Sequence, residues 1–141
     1  MIIDRSLQPS VAQAITATAA SSDYIDLTQA RDFAKGEPIA PVVHIDEAFN
    51  TLTSLAIAVQ VDDNTSFSSA TTIATKSINL AQLTLNAWVI FEALAPGLLG
   101  ATGEKYLRFY YTVTGSNPTL GKVTAGLSRL SDIPMNAGVV A

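Results

Sequence analysis

The segment KYLRFYYTV, Lys105 to Val113, alternates without a break. Leu107, Phe109, Tyr111 and Val113 fall on one side of an extended chain, and Tyr106, Arg108, Tyr110 and Thr112 on the other. Side chains repeat with a period of two in a strand and of 3.6 in a helix, so this segment reads as β. The solvent face of such a strand usually carries plain polar groups. Two tyrosines around an arginine instead mark a contact surface, covered by a second protein or from within the chain. Tyr106, Arg108 and Tyr110 are therefore candidate interface residues.

The same period governs the other convincing segments. LAIAVQV places Leu55, Ile57, Val59 and Val61 opposite Ala56, Ala58 and Gln60, the pattern of a central strand. KVTAGLSRL sets Val123, Ala125 and Leu127 against Lys122, Thr124, Gly126 and Ser128, and Gly126 suggests a bulge or close backbone approach. WVIFEAL opposes Trp88, Ile90 and Glu92 to Val89, Phe91 and Ala93. PVVHIDEAF is a further strand whose start Pro38 and Pro41 push to an edge or bend, because proline donates nothing to a ladder. QAITATAA, DYIDL and TTIATKSI bring the total to about eight. KGEP, DDNTS, PGLLGATGE and TGSNPTLGK supply turn residues between them. This spacing predicts an all-β sandwich, with short helices in SLQPSVAQAITATAA and LAQLTLNA as the alternative at those two places.

One domain accommodates 141 residues. We expect the sandwich to occupy 1–130, with an N-terminal arm at about 1–10 and a C-terminal arm at 131–141. The sequence SDIPMNAGVVA is apolar and carries no charge after Asp132. A solvated tail would carry more, so Ile133, Met135, Val139 and Val140 are candidate interface residues, each worth about 1.5–3 kcal/mol if fully covered. The competing reading is a frayed end.

Charge narrows the partners. Asp, Glu, Lys and Arg make up 14% of the chain against about 25% in an average domain, which favours self-association or permanent docking. A net charge of −4 with eight scattered Lys and Arg argues against nucleic acid. The apolar run Ala87 to Ala101 is shorter than the roughly 20 residues of a membrane crossing, and Glu92, Pro96, Gly97 and Gly100 interrupt it. MIIDRSLQPS lacks the pattern of a secretory signal.

Catalytic chemistry finds little purchase. The chain has no cysteine and one histidine, His44. A hydrolytic triad would have to use it, and a multi-histidine metal site cannot be built. The plainer reading of His44 is a strand residue making one hydrogen bond. Carboxylate pairs for glycoside hydrolysis are possible among twelve acids, but nothing singles one out. DDNTSF reads as an Asx-type turn rather than a calcium loop, since it lacks the glycine and closing glutamate of an EF-hand. Trp88 with Tyr106 and Tyr110 would suit a platform for sugar rings, although packing explains aromatic residues as well. We expect no enzyme activity, cofactor or metal.

Taken in order, IDLTQARDFAKGEP (Ile25 to Pro38), TSLAIAVQVDDNTSF (Thr53 to Phe67), KYLRFYYTVTG and GKVTAGL resemble the Bbp16 family of phage capsid cement proteins. The similarity spans most of the chain and rests on the order and spacing of motifs, none of them catalytic. It implies an antiparallel jelly-roll domain, often a homodimer, on the outer surface of a tailed-phage head. There it would bridge subunits of a major capsid protein of the HK97-like fold. A carbohydrate-binding β-sandwich on the virion is the alternative. The two ends of the chain match least.

Overall fold

In a computed structural model that describes residues 7–27, 39–94, 104–129 and 139–140, ten strands form two sheets. They are β1 (Ser10–Ala14), β2 (Ala19–Ala20), β3 (Ile25–Asp26), β4 (Ile39–Glu47) and β5 (Leu52–Asp62), then β6 (Thr71–Asn79), β7 (Trp88–Ile90), β8 (Tyr106–Gly115), β9 (Lys122–Arg129) and β10 (Val139–Val140). The first sheet has the order β1-β9-β4-β7-β10 and the second β2-β8-β5-β6, with β3 also on β8. Every pairing is antiparallel except that of β10 with β7.

The pairings are nested. β5 pairs β6, β4 pairs β7, β2 and β3 pair β8, and β1 pairs β9. Successive pairs alternate between the sheets, so the chain is one long hairpin wound around a core. β4 with β9 and β5 with β8 join where the wound ribbon meets itself. This is a jelly-roll-like β-sandwich. The count rises from the expected eight to ten because QAITATAA is divided between the end of β1 and β2, DYIDL supplying β3, and because residues 139–140 add an edge.

Alternation places the core. Leu55, Ile57, Val59 and Val61 of β5 lie beside Leu107, Phe109 and Tyr111 of β8, and all are essentially inaccessible. They share one apolar cluster with Val43, Ile45, Val89, Val123, Ala125 and Leu127 of the first sheet. The four β5 residues alone remove about 6–12 kcal/mol worth of apolar surface from water, an upper bound. That is comparable to the whole net stability of a domain.

The expectation of an edge or bend at the start of PVVHIDEAF holds only locally: β4 as a whole lies between β9 and β7, while Ile39–Pro41 run past the last pair with β7, Val42 with Ile90. Pro41 is tolerated because it lies just past the last β4–β7 pair, and its carbonyl still accepts the Phe91 N–H at 3.0 Å. Gly126 is no bulge, for it pairs in register with Val42. The irregularities lie instead between Ile45 and Glu47 of β4 and between Ser10 and Gln13 of β1. The two possible helices resolve as β1 with β2 and as a single 3-10 turn at Leu80–Gln82.

Two polar arrangements hold the sandwich together. Ser10 Oγ donates to Gln13 Oε1 at 2.7 Å and lies 2.8 Å from the hydroxyl of Tyr111, which therefore donates to it. Gln13 continues to the Ala20 carbonyl at 2.9 Å, linking both sheets. Burial pushes the Tyr111 phenol far above its ordinary range, against the opposing pull of Ser10. The buried carboxylate of Asp62 organises the β5–β6 loop by accepting from Asp63 N at 2.6 Å, Ser69 N at 2.9 Å and Ser69 Oγ at 3.0 Å. Burial alone would raise its pKa, but these hydrogen bonds outweigh it and hold the group below 3.8.

Two outcomes test these contacts. Asp62 contributes stability that is present above 3.8 and is lost as pH falls through its lowered folded value. Asp62→Asn is thus expected to melt below wild type at neutral pH, with the gap closing well below 3.8; a pH-independent gap in thermal melts counts against it. A Cβ on Gly121, at φ +137, would overlap the ring of Phe49. Gly121→Ala is expected to cost about 1–3 kcal/mol in urea unfolding.

Candidate functional site

The outward rows of the second sheet carry the aromatic face. Pairing sets Tyr106 opposite Asp62, Arg108 opposite Gln60 and Tyr110 opposite Ala58. Arg108 donates through Nε to Gln60 Oε1 at 2.9 Å. Its guanidinium carbon lies 4.4 Å from the centroid of the Phe67 ring and 5.3 Å from that of Tyr110. Tyr24 meets Tyr106 edge-on at 5.4 Å and Phe67 at 6.3 Å. The Asp62-anchored loop delivers Phe67, at φ +51, onto this face. The candidate row Tyr106, Arg108 and Tyr110 is therefore one half-buried cluster, covered in part from within. Farther along, Ala56, Ser77 and Thr112 make the face flat and uncharged.

Phe67, Tyr24 and Gln60 escaped the sequence reading. DDNTSF signalled a turn, and the structure has one: Asn64 Oδ1 accepts from Ser66 N at 3.1 Å. An aromatic residue closing a run of turn formers was the available sign that the loop folds back onto the sheet.

The outer face of the first sheet is different. His44 Nδ1 lies 2.7 Å from Asp46 Oδ1, and its ring packs on Trp88 at 4.6 Å. Thr124 Oγ1 donates to Asp46 Oδ2 at 2.6 Å and accepts from Ala12 N at 3.0 Å. A triad needs the hydroxyl on the imidazole nitrogen remote from the acid. Here the hydroxyl sits on the carboxylate, so this row orders strands and does not activate a nucleophile. Because Trp88 belongs to this sheet, it forms no common platform with Tyr106 and Tyr110. The backbone of Val139 and Val140 runs parallel to Trp88 and Val89 at this sheet's edge. Ile133 and Met135 lie outside the described residues.

Between β6 and the segment after β7 runs a groove of about 530 Å³, lined by Ile73, Lys76, Phe91 and Leu94 among others. Lys76 stands opposite inward-facing Ile57 and donates to the Ile90 carbonyl at 2.6 Å. Beside it, the register of β5 and β6 shifts near Ile73. An inward lysine and a bulge are the devices by which an edge strand resists a further strand, so this groove is guarded against strand addition.

No curated protein matches the chain. The model of the family described as Bbp16 matches residues 9–127, from the residue before β1 through most of β9. Since that stretch is far more than half of the chain and contains the wound ribbon almost whole, the protein belongs to the Bbp16 family, a phage-related family.

Proposed function

We propose that this protein is a capsid cement or decoration protein that binds the outer surface of a tailed-phage head and stabilises contacts between major capsid subunits of the HK97-like fold. The family match over residues 9–127 carries this reading. The protein would act by binding alone, without cofactor or catalysis. A ligand that favours the assembled shell shifts the equilibrium by its differential affinity, about 2.7 kcal/mol per site at a hundredfold excess over Kd. Many equivalent sites multiply that effect.

The reading includes a homodimer. The flat outer face of the second sheet, with Tyr106, Arg108 and Tyr110 at one end and Ala56, Ser77 and Thr112 beyond, is the surface we assign to the second copy. Aromatic residues and arginine are enriched at interfaces, and other charges are depleted.

Addition of the purified protein to heads lacking it is expected to raise their melting temperature; heads that melt unchanged at saturating protein would end the cement reading. Arg108→Glu combined with Tyr110→Ala is expected to shift sedimentation toward monomer with the domain's own melting nearly unchanged. Unaltered sedimentation would remove the dimer contact from this face.

A further inference from the structure

We infer that the protein meets the head through one end of the sandwich, the end formed by the loops 15–18, 48–51, 80–87 and 116–121. This inference rests on the cement reading and names the surface that it uses.

The four loops form one ordered layer. Asn50 Oδ1 accepts the N–H groups of Thr119 at 2.9 Å and Leu120 at 3.1 Å, while its Nδ2 donates to Thr119 Oγ1 at 2.7 Å. Thr51 Oγ1 donates to the Asn117 carbonyl at 3.1 Å, Phe49 N to that of Leu83 at 3.1 Å, and Ile15 N to that of Gly121 at 3.0 Å. Thr51 and Asn86 hold left-handed backbone, at φ 62 and 65. On this scaffold Leu85 and Leu120 stand 59% and 52% exposed, the two most exposed large apolar residues among those described. Fixing loops in advance removes an ordering cost from binding.

Charge separates this end from the other. None of the four loops contains Asp, Glu, Lys or Arg. The charged residues that flank them among the described residues, Glu47 and Lys122, pair with each other at 3.8 Å, and Glu47 Oε1 also accepts Gly121 N at 2.9 Å. At the opposite end the more exposed Asp26, Asp63 and Glu104 gather with Lys105 around the already buried Asp62. Burying those carboxylates against a partner would strand charge, whereas covering the leucines removes apolar surface from water. The occupant of the loop end is therefore an uncharged, apolar protein surface, not a nucleic acid, an anionic membrane or an acidic glycan.

Area argues for the shell over a second copy. Four strands about 4.8 Å apart and two sheets about 10 Å apart give an end of roughly 400 Å² with its side chains. A stable dimer buries about 800 Å² per partner. The loop end is too small to hold two free molecules together, but a dimer offering two such ends gains by avidity on a lattice.

The test compares Leu85→Asp with Leu120→Asp, and a double variant, with Asp63→Asn and Glu104→Gln as changes at the acidic end. For the leucine variants, unchanged melting and sedimentation with apparent affinity for heads reduced about tenfold or more is the expected result. The acidic-end variants are expected to bind as wild type does. Full affinity of the double leucine variant, on heads that wild type binds, overturns the inference while leaving the cement reading in place. A shift of sedimentation on introducing aspartate would make the loop end a contact between copies and overturn it equally. Absence of wild-type binding overturns the cement reading and this inference with it.

Discussion

Everything in this molecule depends on two apolar rows pressed face to face. β5 and β8 contribute Leu55, Ile57, Val59, Leu107, Phe109 and Tyr111, and β4 and β9 supply the opposing wall through Val43, Ile45, Val123 and Ala125. Because side chains alternate along a strand, sealing one face leaves the other available. A wound hairpin thus yields a rigid body with two broad outer faces and two loop-bearing ends. The cement role proposed above would use that shape more than a cleft.

Polar groups are spent on rigidity. The Tyr111–Ser10–Gln13 chain ties the sheets together through the core, where an unpaired hydroxyl would be costly. Asp62 locks the β5–β6 loop, and that loop in turn lays Phe67 over Arg108. Asn50 does the same for the loops at the other end. Asp62 and Asn50 each satisfy two backbone donors with one side chain, so surfaces made of loops are as fixed as those made of strands. Lys76 is a charge turned inward, which closes the exposed edge of β6 to unwanted strand partners.

Shortage of charge links composition to architecture. With charged residues at 14%, the chain has few to distribute, and those among the described residues are distributed unevenly. Acids collect around Asp62, Asp63 and Glu104, where burial and then the two neighbouring aspartates raise the Glu104 pKa. The loops around Asn50 carry none. An uneven surface of this kind is what the proposed docking of the loop end requires, with the acidic end left to water.

The sequence by itself determined the class of structure and most of its strands. The strict alternation in Lys105 to Val113 and Leu55 to Val61 admits no other period, and motif order over most of the chain was enough to recognise the family. It also marked Tyr106, Arg108 and Tyr110 as something other than an ordinary wet face. Only the tertiary structure decided that Phe67 and Tyr24 cover part of that row, that Pro41 fits inside a sheet because it lies just past the last β4–β7 pair, and that Trp88 stands on the opposite sheet from the tyrosines. The reason is physical: alternation is a local property written residue by residue, whereas which strands become neighbours, and which loops meet at an end, follows from how the long hairpin winds, through contacts between residues as far apart as Ser10 and Tyr111.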